Sequence, residues 1–341
     1  MTPRSDRLRS LRGTRLVRAL SAVTAICATV AVAAGCGSSH SDASRASSTA
    51  ASASTRASTR ASAAFPVTLT AANGAVTVKA EPRHIVSLSP TATEDLYAVG
   101  AGKQVVAVDA QSDYPANAPV TSLSGLTPNI EAIVRYKPDL VVASEDSGGL
   151  VAGLRKLGVP VLIEPTAAKI DDAYQQIDQI GEATGHAAQA ARTVASMKSR
   201  IAATVKKAGT GHADLTYYWE VSANPYYSAT SSTFVGQVAS LFGLTNVADK
   251  AAKAADGGYP QLAQEYIVSA QPKLILLSDN QAEDGGQSPA KVAARPGWAG
   301  IPAVKDHQIT GLDDDIASRW GPRLPELAAE IAQAVEKASG K

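Results

Sequence analysis

Glu131-Ala-Ile-Val-Arg-Tyr-Lys-Pro138-Asp-Leu140-Val-Val-Ala-Ser144 returns later in the chain as Glu265-Tyr-Ile-Val-Ser-Ala-Gln-Pro272-Lys-Leu274-Ile-Leu-Leu-Ser278. Glu, Ile, Val, Pro, Leu and Ser recur without a gap at one offset of 134 residues. Each copy reads as a short helix, a proline that cannot continue it, and a continuous apolar run. Such a run suits a parallel strand buried on both faces. A second, shorter echo follows, with Gly158-Val159-Pro160 and Gly300-Ile301-Pro302 each preceding an apolar run. Two lobes of one α/β build are the simplest account of a unit that occurs twice.

Working outward, Ile85 to Leu88, Val105 to Val108, Leu140 to Ala143 and Val159 to Ile163 read as strands. Glu94 to Val99 reads as the first helix, with Thr91 and Glu94 spaced as a capping box. Between the two copies runs a helical stretch from Ile170 to Lys207, broken near Gly185. Its second part lacks Gly and Pro, and a helix of ~20 residues spans about 30 Å. The predicted fold is therefore α/β, with two similar lobes built on central, mostly parallel sheets and joined by one long helix. A rigid connector of that kind is expected to limit hinge closure between the lobes.

The first 64 residues read differently. Arg4, Arg7, Arg9, Arg12, Arg15 and Arg18 precede an apolar stretch from Ala19 to Ala34, which is short for a membrane span. The stretch ends in Ala33-Ala34-Gly35-Cys36, which resembles a bacterial lipobox with Ala33 in place of the usual Leu. Residues 1–35 are thus expected to be a lipoprotein signal peptide and Cys36 the lipidated residue. Residues 36–64, almost wholly Ser, Ala, Thr, Gly and Arg, are expected to form a flexible tether. The N-terminal lobe is then assigned to residues 65–185, the linking helix to 186–208 and the C-terminal lobe to 209–341.

Charge and cysteine usage exclude several classes. The chain has 32 basic and 31 acidic side chains; removing residues 1–35 takes away six arginines and one Asp, leaving 26 against 30, a net of −4. That body offers no electrostatic footprint for nucleic acid. With Cys27 inside the apolar run and Cys36 ending it, a disulfide framework is ruled out. No Gly-x-Ser-x-Gly elbow, His-Glu-x-x-His, phosphate loop or glycine fingerprint marks an enzyme. His40, His84, His186, His212 and His307 have no partner at metal-ligand spacing, so neither a metal site nor a cofactor is expected.

In open α/β sheets, ligands bind outside the carboxyl ends of the strands, which directs attention to loops. Four of them carry aromatics in a chain with only 5% aromatic residues. They are Ser112-Asp113-Tyr114-Pro115, Asn224-Pro225-Tyr226-Tyr227, Gly257-Gly258-Tyr259-Pro260, and the run from Asp313-Asp314-Asp315 through Arg319-Trp320 to Pro322-Arg323. Such rings give large flat contact area at low entropy cost, while their polar tips orient a ligand. Tyr114, Tyr227, Tyr259, Asp315, Arg319 and Trp320 are the candidate ligand-binding residues.

From Arg83 to the C-terminus the chain resembles the helical-backbone class of solute-binding proteins, the class III periplasmic-binding-protein fold. The carriers are Ile85-Val-Ser-Leu-Ser-Pro-Thr-Ala-Thr-Glu94, Ser112 to Pro115, Asn129-Ile-Glu131 through Leu140, and Arg319 to Arg323. The resemblance implies an extracytoplasmic, lipid-anchored binding protein of an ABC importer. It would deliver a metal chelate (a corrinoid, an iron–siderophore or haem) to a permease dimer with its ATPase. It also implies that Glu131 and Glu265 dock into the permease; equivalent carboxylates on two similar lobes are what a two-fold symmetric partner needs. The nearest resemblance is to cobalamin-binding members, where a tyrosine at the position of Tyr114 stacks near the corrin and an Asp and Arg four apart, here Asp315 and Arg319, face the ligand. Tyr227 and Tyr259 fall at aromatic positions of those proteins. The first-lobe Trp expected near Leu126 and Thr127 is missing. Haem binders place an iron-ligating tyrosine at the position of Tyr114, and siderophore binders use arginines such as Arg319 and Arg323. Other classes consistent with the residues alone are a secreted two-lobe enzyme and a sensor or adhesion module without a permease.

Overall fold

The computed structural model describes residues 65–280 and 286–340. The signal peptide, Cys36 and the tether lie outside the described residues.

The chain opens with an antiparallel hairpin, β1 (Val67–Ala71) and β2 (Gly74–Val78). β3 (Ile85–Leu88), β4 (Val105–Val108), β5 (Leu140–Ala143) and β6 (Val161–Ile163) then form a parallel sheet in the order β4-β3-β5-β6. α1 (Pro90–Ala98), α2 (Ile130–Val134) and α3 (Leu150–Lys156) connect them. α4 (Ile170–Thr184) and α5 (Ala187–Ala208) follow, separated by Gly185, whose φ of 82° only glycine adopts cheaply. The second sheet contains β7 (Thr216–Ala223), β8 (Tyr226–Ser228), β9 (Thr245–Asn246), β10 (Leu274–Leu277) and β11 (Ile309–Gly311). Its order is β11-β10-β7-β8 with β9 also on β7, and β8 alone among its strands runs antiparallel. Around it lie α6 (Phe234–Ser240), α7 (Gln264–Ala270), α8 (Pro289–Ala293), α9 (Pro302–Lys305), α10 (Asp314–Ser318) and α11 (Leu324–Ala338). This is the two-lobe, mostly parallel α/β architecture expected.

The 134-residue repeat extends to the backbone. α2 and α7 are its helices, β5 and β10 its strands, and each strand sits between two parallel neighbours, β3 and β6 or β7 and β11. Lys137 and Gln271, themselves 134 apart, both take left-handed φ values of 50° and 48° immediately before the proline. A following proline disfavours the helical region, so the helix ends there and the chain turns into the strand. The shorter echo behaves otherwise. Val159 and Pro160 lead into β6, whereas Pro302 begins helix α9, because Pro fits the first helical position as readily as a strand entry.

Two local expectations are corrected. α1 begins at Pro90, four residues before the expected Glu94, with Ser89 as its cap: the Ser89 hydroxyl accepts from the Ala92 amide at 3.4 Å. Thr91 and Glu94 make no capping box, and Glu94 turns instead to arginines of the other lobe. Likewise, the last strand of the first sheet starts at Val161, two residues later than read.

Side-chain alternation along the strands divides the core into three. Ile85, Leu140 and Val142 of the first sheet share one cluster with Tyr217, Trp219, Leu274 and Leu276 of the second. Helices α4, α5 and α11 supply Ile177, Ile180, Met197, Ile201, Leu327 and Ile331 to the same cluster. The alternate residues face outward: Val86, Leu88 and Val141 into one outer core, Tyr218, Ile275 and Leu277 into the other. A period of two sends successive side chains to opposite faces, and both faces here are covered. Each such side chain contributes roughly 1.5–3 kcal/mol on burial, so the strands are anchored from both sides. α5, at 1.5 Å per residue, is about 33 Å long. It packs against both α4 and α11.

Candidate functional site

The carboxyl ends of the parallel strands place the site. β3 leads through Ser89 into α1, which carries Glu94; β4 leads into the 109–115 loop; β11 leads into α10 and the Arg319–Arg323 segment.

A chain of buried hydroxyls fixes the first-lobe loop. The Thr93 hydroxyl lies 2.8 Å from both Ser87 Oγ on β3 and Ser112 Oγ in the loop, and Ser112 in turn donates to the Asp109 carboxylate. Burial pushes the Asp109 carboxyl up, while Ser112 and the Arg319 charge pull it down. This relay sets the positions of the next residues, Asp113 and Tyr114.

Arg319 reaches across from the second lobe. Its Nη1 donates to Glu94 Oε1 at 3.0 Å and to Asp113 Oδ1 at 2.9 Å; its Nη2 donates to Asp315 Oδ1 at 2.7 Å and to the Gln111 carbonyl at 3.3 Å. Arg323 grips the same Glu94 through Nε at 2.8 Å and Nη2 at 2.6 Å. The Arg323 guanidinium also lies 4.4 Å from the centre of the Tyr114 ring, a cation–π contact. Glu94 is fully buried, so its charge is held by two guanidiniums rather than by water. The segment can lie this close because Gly321 faces Asp95 and Thr91, where a β-carbon would already touch at 3.3–3.4 Å. Burial raises the Asp315 carboxyl, against the pull of Arg319.

Of the predicted residues, Tyr114, Asp315 and Arg319 are thus brought together with Glu94, Asp113 and Arg323. Tyr227 and Tyr259 are exposed on the second lobe. They lie on adjacent extended segments, Tyr227 forming a bridge with Gln261 at the carboxyl end of β7. Trp320 is turned inward: its indole N–H donates to Gln176 Oε1 of α4 at 2.8 Å, and its ring packs on the shared core. At the place of the missing Trp, Leu126 is exposed. Glu131 and Glu265 both occupy the first turn of their helices, α2 and α7, and both are exposed.

The part of the site that sequence reasoning missed is Glu94, read there as a helix cap. The acidic pair Glu94-Asp95 six residues past β3, in a chain whose last loop holds two arginines four apart, is the signal that could have found it. A second buried pair sits on β7, where Arg295 clasps Glu220 through two contacts of 2.6 Å and covers Trp298 at 4.5 Å. Asp279, beside it, is pushed up to about 7 by burial. Among the described residues no group of three or more His, Cys, Asp or Glu could hold a metal ion. A cavity of about 470 Å³ lies at the amino ends of the first sheet, between β2 and α3, and none of the candidate ligand residues lines it.

Residues 85–316 match the model of the family described as "Periplasmic binding protein". The chain belongs to the periplasmic binding protein family. This periplasmic binding protein is 35% identical over 280 residues to an uncharacterized ABC transporter substrate-binding lipoprotein, YvrC, of Bacillus subtilis, covering 80% of the chain and 86% of the relative. It is 31% identical over 277 residues to a cobalamin-binding protein of Halobacterium salinarum, covering 79% and 74%. Among solved structures, it resembles the periplasmic haem-binding protein RhuT of Roseiflexus in apo form, with a TM-score of 0.65 and 27% identity over 76% of this chain and 99% of that one. The fold is that of class III periplasmic binding proteins, and the chain is a substrate-binding component of extracytoplasmic transport, not an enzyme.

Proposed function

We propose that the protein captures a corrinoid such as cobalamin in the cleft between its lobes and delivers it to the permease dimer of an ABC importer. The observation that carries this reading is the cluster joining Tyr114, Arg323, Glu94, Arg319, Asp113 and Asp315 across the two lobes. It combines an exposed flat ring with carboxylates that accept hydrogen bonds, suited to a large planar chelate fringed with amides. The cobalamin-binding relative supports the ligand class, and the substrate-binding lipoprotein supports the transport role. Tyr227 and Tyr259 close the same cleft from the second lobe, and Trp320 braces the Arg319–Arg323 segment from behind.

In this reading Cys36 carries the lipid that holds the protein on the outer face of the membrane, and residues 36–64 are the tether. Residues 65–185 and 209–341 act as the two lobes on either side of the 186–208 helix. Glu131 and Glu265 dock the lobes onto the permease. Their matching places at the starts of α2 and α7 support the pairing, since a two-fold partner requires equivalent contacts on both lobes. A haem ligand is the second reading, with the exposed Tyr114 as its iron ligand, and the likeness to the haem-binding structure supports it. An iron–siderophore is a third, with Arg319 and Arg323 as its anchors.

The docking role is tested by the double variant Glu131→Arg, Glu265→Arg. Uptake of labelled cobalamin by cells should fall to background while cyanocobalamin affinity of the purified variant stays within twofold of the wild type. Unimpaired uptake would contradict the docking role.

A further inference from the structure

We infer that Asp113 is a specificity-determining residue: together with Asp315 it occupies the ligand-facing donors of Arg319 and so sets the cleft against anionic chelates. The inference rests on the chelate-binding reading above and adds the charge class of the chelate.

Donor accounting carries it. A guanidinium has five N–H groups, four of them on its two terminal nitrogens. In Arg319 all four are used, by Glu94, Asp113, Asp315 and the Gln111 carbonyl. The arginine itself is only 10% exposed, whereas the Asp113 and Asp315 side chains are 66% and 44% exposed. A ligand entering the cleft therefore meets carboxylate oxygens first and finds the arginine already satisfied. Arg323 offers an anion little more: its Nε and Nη2 lie on Glu94, its flat face is covered by Tyr114, and its side chain is only 16% exposed. Three carboxylates against two guanidiniums leave one negative charge in excess. Asp313 and Glu330, directly behind, hold the same sign; the Asp313 amide donates to Glu330 at 3.1 Å.

A propionate, carboxylate or catecholate would have to displace an aspartate from Arg319 and lie against the other, with like charges opposed. A neutral chelate fringed with amide groups instead donates N–H to Asp113 and Asp315 and leaves the ion pairs intact. Because the Asp113 end of its ion pair with Arg319 is largely exposed and such pairs add little to folding, Asp113 can be removed without unfolding the protein.

The test measures dissociation constants of the full-length protein for cyanocobalamin (neutral), haemin (two propionates) and a ferric tris-catecholate, in wild type, Asp113→Ala and Asp113→Asn, with melting curves as a check on folding. The wild type should prefer cyanocobalamin to either anionic chelate by at least tenfold. Asp113→Ala should narrow that preference at least fivefold, through tighter binding of the anions, with Asp113→Asn in the same direction. An unchanged preference ratio, or equal weakening of all three ligands, overturns the role of Asp113. Wild-type binding of haemin or the catecholate in preference to cyanocobalamin overturns it too, while leaving the chelate-binding reading standing. Binding of none of the three by the wild type overturns both.

Discussion

Single side chains in this protein do two kinds of work that their type alone does not announce. Glu94 is the clearest. A glutamate four residues into a helix is ordinarily solvated, yet here it is buried and held by two arginines more than 200 residues away in the chain. Removing one partner from a buried ion pair costs about 3–5 kcal/mol, because the remaining charge is left buried and uncompensated. Glu164, at the end of β6, is the opposite case: a buried carboxyl raised to about 8 by burial, with Oε1 lacking a partner among the described residues. The native state therefore keeps a proton that the unfolded chain releases near the usual 4.5. Its contribution to stability is complete below that value and is lost as pH rises towards 8. Glu164→Gln should remove much of this loss, so the melting-temperature gap between variant and wild type should widen in the variant's favour from pH 5 to about 8. Asp95, buried beside it and also raised, leaves a residual slope of the same sign. A gap constant across that range would contradict the buried, protonated state. Little of this was legible in the sequence. Tyr114, Asp315 and Arg319 could be picked out as loop residues, but burial and long-range pairing are not local properties. Trp320 shows the same limit from the other side, since an indole in a loop reads as ligand-facing until its N–H is found on Gln176.

At the scale of elements the sequence was far more informative, because the repeat encodes a local conflict that has one common solution. A proline in a helix interior breaks it, and the helical region is disfavoured for the residue before proline. Lys137 and Gln271 resolve that conflict identically, in the left-handed region. The apolar runs Leu140–Ala143 and Leu274–Leu277 are buried on both faces for the same reason that they carry no alternation. The shorter Gly-x-Pro echo misled because proline begins a helix as readily as it enters a strand edge, and no local signal separates the two at Pro160 and Pro302. The first helix starts earlier than the Thr91–Glu94 spacing suggests because Pro90 fits its first turn. The left-handed residues make a prediction of their own. A side chain with a β-carbon is strained at φ 50°, whereas glycine is not. Lys137→Gly should accordingly raise unfolding stability by about 0.5–1 kcal/mol, read as a higher denaturant midpoint. A lower midpoint would mean that the turn is held by the lysine side chain instead.

Among the described residues, the two sheets share one apolar core with α4, α5 and α11. Because Ile85, Leu140, Tyr217 and Leu274 belong to one core with α4, α5 and α11, moving one lobe against the other would open packed apolar surface. The long helix expected to limit closure is only part of the restraint; the continuous core and the Glu94–Arg319–Arg323 junction act with it. On the function proposed above, ligand recognition falls to loops at the carboxyl ends of both sheets and not to the cavity between β2 and α3. Hydrogen–deuterium exchange with and without saturating cyanocobalamin tests that placement directly. Added protection is expected in residues 109–115, 224–228, 256–260 and 313–323, with residues 74–81 and 155–161 unchanged. Protection confined to residues 74–81 and 155–161, with the four loops unaffected, would contradict it.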